Sequence, residues 1–271
     1  MSNKMPASTG LRALAIDLDG TLLVGEDLSP RNRDAVKRAS QAGYHVIIAT
    51  ARWRQLAERI AREIGLENPP IIACSGAQVY CMREARDIYD ARLPADFVEA
   101  FYEICNANRC IATASVDAHT WFKIDQKPSA EYLSDELHWV EAFPPVDQLP
   151  RIATVQGSGT IELVKAMHAE GFDETVNIFN SIGPTGRNVV TITAKNADKG
   201  IALTRACEYL NIQTSAVVAF GDAENDIAMF RLAGQSVAMG QAEDAVKAEA
   251  DVVTLPNTED GVADFIESVL L

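Results

Sequence analysis

The stretch that decides the fold is residues 11–22, which reads LRALAIDLDGTL. Its first six residues form a mainly apolar run, and a turn that contains Gly20 stops it. Such a run is typical of a buried strand in an α/β sheet. Side chains at positions i and i+2 share a face of an extended chain, so Asp17 and Asp19 are predicted to project together from the carboxyl end of the strand. Open α/β sheets bind their ligands at that end.

The Asp17–Asp19 pair, taken alone, has two interpretations. Like charges this close repel each other, which costs stability unless a cation or a proton resolves the repulsion. The same residues also suit a plain strand end and turn, because Asp and Gly are ordinary turn residues. The choice between a ligand site and a turn therefore depends on the rest of the chain.

The composition is that of an ordinary soluble globular protein. The 271 residues are 48% hydrophobic and 23% charged, which allows one large domain or two smaller ones. The 24 basic and 38 acidic residues give a net charge of −14, which argues against nucleic acid or an anionic membrane as the main partner. A phosphorylated ligand would need local positive charge from a metal ion, a lysine or a helix N-terminus.

Cysteine content and the first residues indicate the compartment. The five cysteines are odd in number and form no C-x-x-C pair, so a disulfide framework and a zinc site are not expected. The first ten residues lack an apolar signal region, and no apolar stretch of about 18 residues occurs. We therefore expect a cytoplasmic protein with no membrane partner. Nothing in the sequence indicates its oligomeric state.

Strand and helix patterns alternate at both ends of the chain and change in between. The first part predicts a strand at 11–16, a helix at about 30–42, a strand at 45–49, a helix at about 53–64 and a strand at 71–74. This order implies a parallel, right-handed sheet, and the parallel pattern returns at 217–220, 236–239 and 251–254. The strands predicted at 110–113, 121–123, 152–156, 176–180 and 189–193 alternate apolar and polar residues. That alternation favours an antiparallel sheet with helices on one face.

The predicted fold class is therefore α/β with two domains. Residues 1–82 and 195–271 form a Rossmann-like core with a parallel sheet, and residues 83–194 form an inserted α/β domain.

Polar residues follow several core strands at their carboxyl ends. Asp17 and Asp19 follow the first strand, Thr50 and Arg52 follow the second, and GDAEND at 221–226 follows a later one. Lys199 begins the helix that leads into that later strand. Cleaving a phosphate ester requires a nucleophile, a proton donor, donors for the free oxygens and a cation. These residues supply each of those parts.

The motifs resemble those of the haloacid-dehalogenase superfamily of phosphatases, over essentially the whole chain. The closer match is to its Cof-like branch, in which an α/β cap domain is inserted after the third strand. The motifs that carry the resemblance are DLDGTL at 17–22, GDAENDI at 221–227, VAMG at 237–240, VK at 246–247, AD at 250–251 and NTEDGVA at 257–263.

The resemblance implies a role for each residue of the site. Asp17 would be the nucleophile that becomes a transient aspartyl-phosphate, and Asp19 would be the general acid and base. Thr50 and Lys199 would hold phosphate oxygens. The metal ligands would be Asp17, the backbone carbonyl of Asp19, and Asp222, with Asn225 and Asp226 ordering waters and neighbouring side chains. Hard oxygen ligands favour Mg²⁺, for which Mn²⁺ is a substitute.

Two positions depart from the pattern of the branch. Thr50-Ala51-Arg52 stands where T-G-R is common, and Ser75 stands where the branch often carries Asn before Gly76. Arg52, Ser75 and Gly76 are possible substrate contacts, and the shorter Ser75 side chain changes the donors offered there. Thr50, Lys199 and Asn225 each also have a plain alternative, as a helix cap, a solvated charge and a turn residue.

The inserted domain is expected to choose the substrate by closing over the strand ends. Candidate specificity residues are Trp121, Lys123, Arg151 and Arg187, although packing within the cap or solvation explains each of them too. His119, His138 and His168 lack metal-ligand spacing.

Three functions follow from these motifs. The favoured one is a Mg²⁺-dependent phosphatase that acts on small phosphorylated metabolites, either sugar phosphates or a phosphorylated cofactor. A phosphomutase of the same superfamily would keep the aspartyl nucleophile but return the phosphoryl group to a sugar. A non-catalytic sensor would bind a phosphorylated ligand only, but a pure binder gains little from a pair of repelling carboxylates.

Overall fold

The computed structural model describes residues 10–117, 119–129, 137–182 and 186–271. The strands are β1 (Ala13–Ile16), β2 (Leu23–Val24), β3 (Asp27–Leu28), β4 (His45–Ala49), β5 (Pro70–Ala73), β6 (Gln78–Cys81), β7 (Arg86–Asp90), β8 (Ile111–Ser115), β9 (Thr120–Lys123), β10 (Leu137–Val140), β11 (Ile152–Gln156), β12 (Val176–Ile182), β13 (Asn188–Ala194), β14 (Val217–Gly221), β15 (Gln235–Ala238) and β16 (Val252–Val253). The helices are α1 (Pro30–Gln41), α2 (Arg54–Ile64), α3 (Ala95–Ala107), α4 (Ser158–Gly171), α5 (Lys199–Leu210), α6 (Ile227–Phe230), α7 (Asp244–Lys247) and α8 (Gly261–Phe265).

The core sheet has eight strands in the order β16-β15-β14-β1-β4-β5-β6-β7. The pairs from β16 to β5 are parallel, which confirms the predicted Rossmann-like sheet. β5 and β6 are antiparallel and form a hairpin that the sequence analysis did not predict. All four residues of β1 are buried, as expected for a central strand of a parallel sheet whose two faces are both covered.

Local sequence explains the ends of the core helices. Ser29 caps α1 by accepting a hydrogen bond from the Asn32 amide at 3.0 Å, and Pro30 occupies the first helical position. Gly65 ends α2 in the left-handed conformation, with φ of 81°. These signals place both predicted helices within a residue or so of their observed bounds.

The second sheet has six strands in the order β10-β9-β8-β11-β13-β12. All its pairs are antiparallel except β9 with β10. Side chains of α3 and α4, such as Phe97, Phe101 and Val164, pack with Ala153 and Val155 of β11 in one core. The predicted antiparallel cap sheet with helices on one face is thereby confirmed, while the parallel edge strand β10 was not predicted.

The chain divides into two compact units. One contains the described residues up to Tyr89 together with Asp198–Leu271, and the other is Asp90–Ala197. The sequence analysis had ended the first core segment at residue 82 and resumed it at 195. The observed first boundary lies later because β7 joins the core sheet. Within the described residues, no helix combines the length and the apolar character needed to span a membrane.

Candidate active site

Four neighbouring strands of the core sheet end in polar residues. In the order of the sheet, β14 leads to Asp222, β1 to Asp17, β4 to Thr50 and β5 to Ser75. Because parallel strands end at the same edge of a sheet, these positions lie side by side. The fold itself therefore collects residues that are up to about 200 positions apart in sequence.

Lys199 lies at the centre of the site. Asp198 caps α5 through a hydrogen bond from the Ile201 amide at 2.7 Å, and this cap places Lys199 in the first turn of the helix. The Lys199 side chain is 1% exposed, and its Nζ donates to Oδ1 of Asp17 and to Oδ1 of Asp226, both at 2.6 Å. A buried ammonium is stable only when it is paired in this way.

Asp226 organises the loop after β14. Its Oδ2 accepts hydrogen bonds at 3.0 Å from the backbone amides of Asp222 and Ala223, while its Oδ1 accepts from Lys199. These three donors use both oxygens of a side chain that is fully buried. Asp226 therefore fixes the backbone that carries Asp222 and positions Lys199 at the same time.

The site has more negative than positive charge. Burial raises the pKa of Asp17 well above its usual value, and the charges of Asp226 and Asp222 raise it further against the opposing effect of Lys199. Burial and the charge of Asp226 raise the pKa of Asp222 to about 6. Burial would lower the pKa of Lys199, but the charges of Asp17 and Asp226 outweigh it and raise that pKa. Three carboxylates thus share one ammonium.

The donor set fits a hard divalent cation. One carboxylate oxygen from each of Asp17, Asp222 and Asp226 lies within 4.8 Å of the others. The Oδ1 atom of Asn225, in the same loop, is buried and has no hydrogen-bond partner among the described residues. Carboxylate and amide oxygens are the ligands that Mg²⁺ takes in proteins, and a buried amide oxygen needs a partner.

Gly20 permits the close approach of the loop after β1 to Asp222. Its φ is +78°, and a Cβ atom at this position would overlap the Asp222 carboxylate, with Cγ only 2.8 Å away. Thr21, the next residue, donates from Oγ1 to Oδ1 of Asp222 at 3.1 Å. The sequence analysis did not single out Thr21, although it lies within the DLDGTL motif.

Asp19 does not share the surroundings of Asp17. The strand ends at Ile16 and the chain turns at once, so the alternation of an extended chain does not continue through Asp19. The Asp19 side chain is 41% exposed, and both of its oxygens accept hydrogen bonds from the Arg52 guanidinium, one of them from Nε at 2.7 Å. The sequence had paired Asp19 with Asp17, whereas the structure pairs it with Arg52.

Thr50 and Ser75 are joined through the backbone. The Thr50 hydroxyl is buried and accepts a hydrogen bond from the Arg52 amide at 3.1 Å, which leaves its own proton available to a ligand. The Ser75 amide donates to the Thr50 carbonyl at 3.1 Å. The Ser75 hydroxyl is enclosed and has no hydrogen-bond partner among the described residues.

The turn after β5 is strained. Cys74, Ser75 and Gly76 all have positive φ, at 52°, 53° and 96°, which costs of order 1–3 kcal/mol for each non-glycine residue. A Cβ on Gly76 would overlap the Asp198 backbone and lie 2.7 Å from the Lys199 nitrogen. The turn therefore packs directly against the start of α5.

Comparison with known proteins identifies the family. The model of the haloacid dehalogenase-like hydrolases matches residues 14–266. The chain belongs to this family. The match extends across the core and the cap, and it confirms the resemblance that the motifs predicted.

Full-length relatives of this hydrolase include named phosphatases. The chain is 31% identical to the pyridoxal phosphate phosphatase YbhA of Escherichia coli, covering 96% of this chain and 99% of that protein. It is 29% identical to the 5-amino-6-(5-phospho-D-ribitylamino)uracil phosphatase YwtE of Bacillus subtilis, covering 96% and 98%. A solved structure of a haloacid dehalogenase-like hydrolase from Bacteroides thetaiotaomicron has a TM-score of 0.81 at 25% identity, covering 96% of this chain and all of that one.

Three of the candidate specificity residues in the cap of this hydrolase have partners within the cap. Trp121 packs against the cap core. Lys123 is buried and donates to the Asn108 carbonyl at 3.3 Å, and Arg151 is buried against Asp90 at 2.6 Å and the Val116 carbonyl at 2.9 Å. Arg187 is exposed. These contacts account for Trp121, Lys123 and Arg151 by packing and charge pairing.

Proposed function

We propose that this haloacid dehalogenase-type phosphatase hydrolyses small phosphorylated metabolites with Mg²⁺, through a covalent phosphate on Asp17. The observation that carries the proposal is the buried Asp17 carboxylate, which Lys199 contacts at 2.6 Å among two further carboxylates. Lys199 opposes the burial and the neighbouring charges that raise the pKa of this group, and the two further carboxylates would attract a metal cation that favours its ionised form.

In the first half of the reaction, a carboxylate oxygen of Asp17 attacks the phosphorus atom, and the bond from phosphorus to the ester oxygen breaks. Asp19 donates a proton to that leaving oxygen, so the alcohol departs neutral. Lys199 and the Thr50 hydroxyl donate hydrogen bonds to the non-bridging oxygens, whose charge they stabilise. For this step, Asp19 has to exchange its ion pair with Arg52 for a proton.

In the second half, Asp19 accepts a proton from water as the water oxygen attacks the phosphorus atom of the aspartyl-phosphate. The bond between phosphorus and the Asp17 oxygen breaks, which releases inorganic phosphate and restores the Asp17 carboxylate. Lys199 again stabilises that carboxylate as it becomes charged.

The residues that would hold Mg²⁺ are Asp17, Asp222 and the backbone carbonyl of Asp19. Bound there, the ion would offset the repulsion among the carboxylates and stabilise the charge on the transferring phosphoryl group. Asp226 would act from outside this set, because Lys199 and two backbone amides already engage its oxygens. Asn225, with its unpartnered Oδ1, would order the metal-bound water.

We infer that the cap chooses the substrate through the face of its sheet that the helices do not cover. One row on this face crosses all six strands, and none of its partly exposed side chains carries a charge: Trp139, Phe122, Thr113, Thr154, Thr191 and Phe179. A solvated face of an antiparallel sheet normally carries polar residues, whereas three of these six side chains are aromatic. Aromatic rings beside hydroxyls suit a planar aromatic ring with polar substituents, which can stack on them, so phosphorylated cofactors with such a ring are favoured over simple sugar phosphates. We expect the enzyme to act in the cytoplasm.

The deciding experiment is phosphate release from a panel of phosphorylated metabolites, with Mg²⁺ and with EDTA, by the native enzyme and Asp17→Asn. We expect turnover that requires Mg²⁺ and falls by at least about 10³-fold in the variant, because the nucleophile is lost. Asp27→Asn, an exposed carboxylate-to-amide change in the same segment, is the matched control and should stay within about twofold.

Three other outcomes would contradict the proposal. Phosphate transfer only in the presence of a sugar bisphosphate, with none released, would indicate a phosphomutase. Binding of phosphorylated ligands without turnover would indicate a sensor. Release that Asp17→Asn leaves intact would exclude Asp17 as the nucleophile. A quenched native reaction should also contain phosphate on the peptide that includes Asp17.

A further inference from the structure

The loop from Asp17 to Leu23, the first residue of β2, is held by three amide side chains. Asn32 donates from Nδ2 to the Leu22 carbonyl at 3.2 Å, and Asn257 donates from Nδ2 to the Leu23 carbonyl at 2.8 Å. Gln241 donates from Nε2 to the Gly20 carbonyl at 2.5 Å. We call Asn32, Gln241 and Asn257 the amide clamp. They come from α1, from the segment after β15 and from the segment after β16, so three distant parts of the core converge on one loop.

The loop's own amides do not donate to the carbonyls that the clamp holds. Its own amides turn inward, with those of Thr21 and Leu23 donating to the Leu18 carbonyl and that of Leu22 donating to the Asp17 carbonyl. Its carbonyls at Gly20, Leu22 and Leu23 instead accept from the clamp. The internal bonds close a tight turn, and the clamp fixes where that turn lies relative to the rest of the core.

Two of the clamp residues also accept hydrogen bonds from the segment after β16, which contains the third. The Oε1 atom of Gln241 accepts from the Asn257 amide at 3.0 Å, and the Oδ1 atom of Asn32 accepts from the Ala263 amide at 3.0 Å. Two of the three amides therefore use both their donor and their acceptor to tie the loop to the C-terminal segment. These bonds give a role to Asn257 and to the Ala263 amide, the two ends of the NTEDGVA stretch at 257–263.

Satisfying buried carbonyls is the simplest explanation for Asn32 and Asn257, which are 1% and 9% exposed. It does not account for Gln241, because the Gln241 side chain is exposed and water could serve the Gly20 carbonyl in its place. Gly20 adjoins Asp19 and is the residue whose position controls the approach to Asp222. Gln241, the exposed member of the clamp, thus holds the carbonyl of Gly20, the residue that controls the approach of the loop to Asp222.

We propose that Asn32, Gln241 and Asn257 are positioning residues for the reaction, which hold the Asp17–Leu23 loop where Asp17 and Asp19 can act together. The inference rests on the proposed function. Amide groups do not titrate near neutral pH, so the clamp holds the loop in the same way across the working pH range. A displacement of reacting groups by about 1 Å can cost about 100-fold in rate. Three amides that fix the position of this short loop would therefore preserve the rate.

The sharpest test is a pair of variants at the exposed position, Gln241→Met and Gln241→Lys. Both remove the oxygen that accepts from the Asn257 amide, but only lysine keeps a donor for the Gly20 carbonyl. Assays at high ionic strength screen the added charge. We expect kcat to fall about three- to tenfold in Gln241→Met, with KM within about twofold, and to recover by at least half in Gln241→Lys. Equal kcat values in the two variants would overturn the proposal for Gln241.

The buried member is tested by Asn257→Asp, with Thr254→Val as its matched control. Aspartate has nearly the shape of asparagine but offers no donor to the Leu23 carbonyl. Thr254 makes a comparable bond, from Oγ1 to the Gly261 carbonyl at 2.8 Å, in the same segment and away from the loop. We expect kcat to fall at least about tenfold in Asn257→Asp and less than about twofold in Thr254→Val, even when both lower the melting temperature equally. A loss of kcat that tracks melting temperature in both would reduce the clamp to a stabilising contact.

Hydrogen exchange provides a readout that does not depend on catalysis. The amides of residues 17–24 should exchange faster in Asn257→Asp and Gln241→Met than in the native protein, but at the native rate in Thr254→Val. If the native protein released no phosphate, the proposed function would fail while this measurement still tested the clamp. Unchanged exchange in all variants would overturn the clamp while leaving the phosphatase intact.

Discussion

The core and the cap each contain a cluster of charged side chains, and the two clusters are built differently. In the core, Lys199 faces the carboxylates of Asp17 and Asp226, with Asp222 beside them. In the cap, two guanidinium groups face two carboxylates: Arg151 pairs with Asp90 at 2.6 Å and Asp117 at 3.3 Å, and Arg92 pairs with the same two at 2.8 and 2.5 Å. The cap cluster is balanced, whereas the core cluster is not.

The pKa values move in opposite directions in the two clusters. Burial would raise the pKa of Asp90, but hydrogen bonds from Arg92 and Arg151 outweigh it and lower that pKa, and the hydrogen bond from Arg92 lowers the pKa of Asp117. In the core, burial raises the pKa of Asp17 and Asp222. A balanced cluster stabilises the fold by itself. An unbalanced cluster destabilises the fold until a cation binds. The same excess of negative charge is what favours binding of the cation.

Among the variants that test this difference between the core and cap clusters, Asp222→Asn should have the largest effect. Phosphate release should fall about 10²- to 10³-fold if Asp222 is the metal ligand proposed above. The metal-free variant should nevertheless melt at a higher temperature than the native protein, because one of the repelling charges is gone while the amide can still accept from Thr21. Calorimetry in EDTA, alongside the activity assay, checks both effects. A variant less stable than the native protein without metal would contradict the account of the core cluster as destabilising.

Arg151→Met should do the reverse in the cap. Removing the buried guanidinium leaves Asp90 and Asp117 short of a partner, and we expect a loss of about 2 kcal/mol in the free energy of unfolding, reduced from the fully buried case because Asp90 is partly exposed. Arg109→Met is the control, since Arg109 is 90% exposed in its pair with Asp125 and its loss should leave the free energy of unfolding nearly unchanged.

Urea titration measures both variants. The kcat of folded Arg151→Met on acetyl phosphate, which has almost no organic part for the cap to recognise, should stay within about threefold of the native value. A far greater loss with unchanged stability would mean that the cap cluster contributes to catalysis rather than to the fold.

The smallest expected effect is on the pH dependence of stability, which should differ between the two clusters. A carboxylate whose pKa is raised in the folded state binds more protons there than in the unfolded chain, so Asp222 should make the metal-free protein lose stability as pH rises from about 4 to 6. Asp90 and Asp117, with lowered pKa, contribute stability at neutral pH that disappears as pH falls below about 4. Urea unfolding in EDTA from pH 4.5 to 7.5 measures the free energy of unfolding. Asp222 should lower this free energy as pH rises. Asp222→Asn should remove the decrease, and Mg²⁺ in place of EDTA should offset it. Native and variant curves of identical slope would contradict this assignment.

Sequence patterns predicted the parallel core well because its strands are short, continuous apolar runs between clear helix signals. They missed β2, β3, β6, β7 and β10, which are short and lie at or near sheet edges, where burial imposes a weaker pattern. The residues at the strand ends were recognisable from their motifs. The partner of Asp19 was not, because the turn after Ile16 ends the strand geometry on which the prediction rested.

The sequence by itself determined the fold class and the family motifs, and it predicted a site of Asp17, Asp19, Thr50, Lys199 and Asp222. Each of these residues belongs to a local sequence pattern that can be recognised without knowledge of its tertiary contacts. Only the tertiary structure decided how those residues are paired. Lys199 bridges Asp17 and Asp226, Arg52 holds Asp19, and three amides from separate segments hold one loop. Pairing depends on which strand ends adjoin and how much water remains between side chains, and both are properties of the packed chain rather than of any stretch within it.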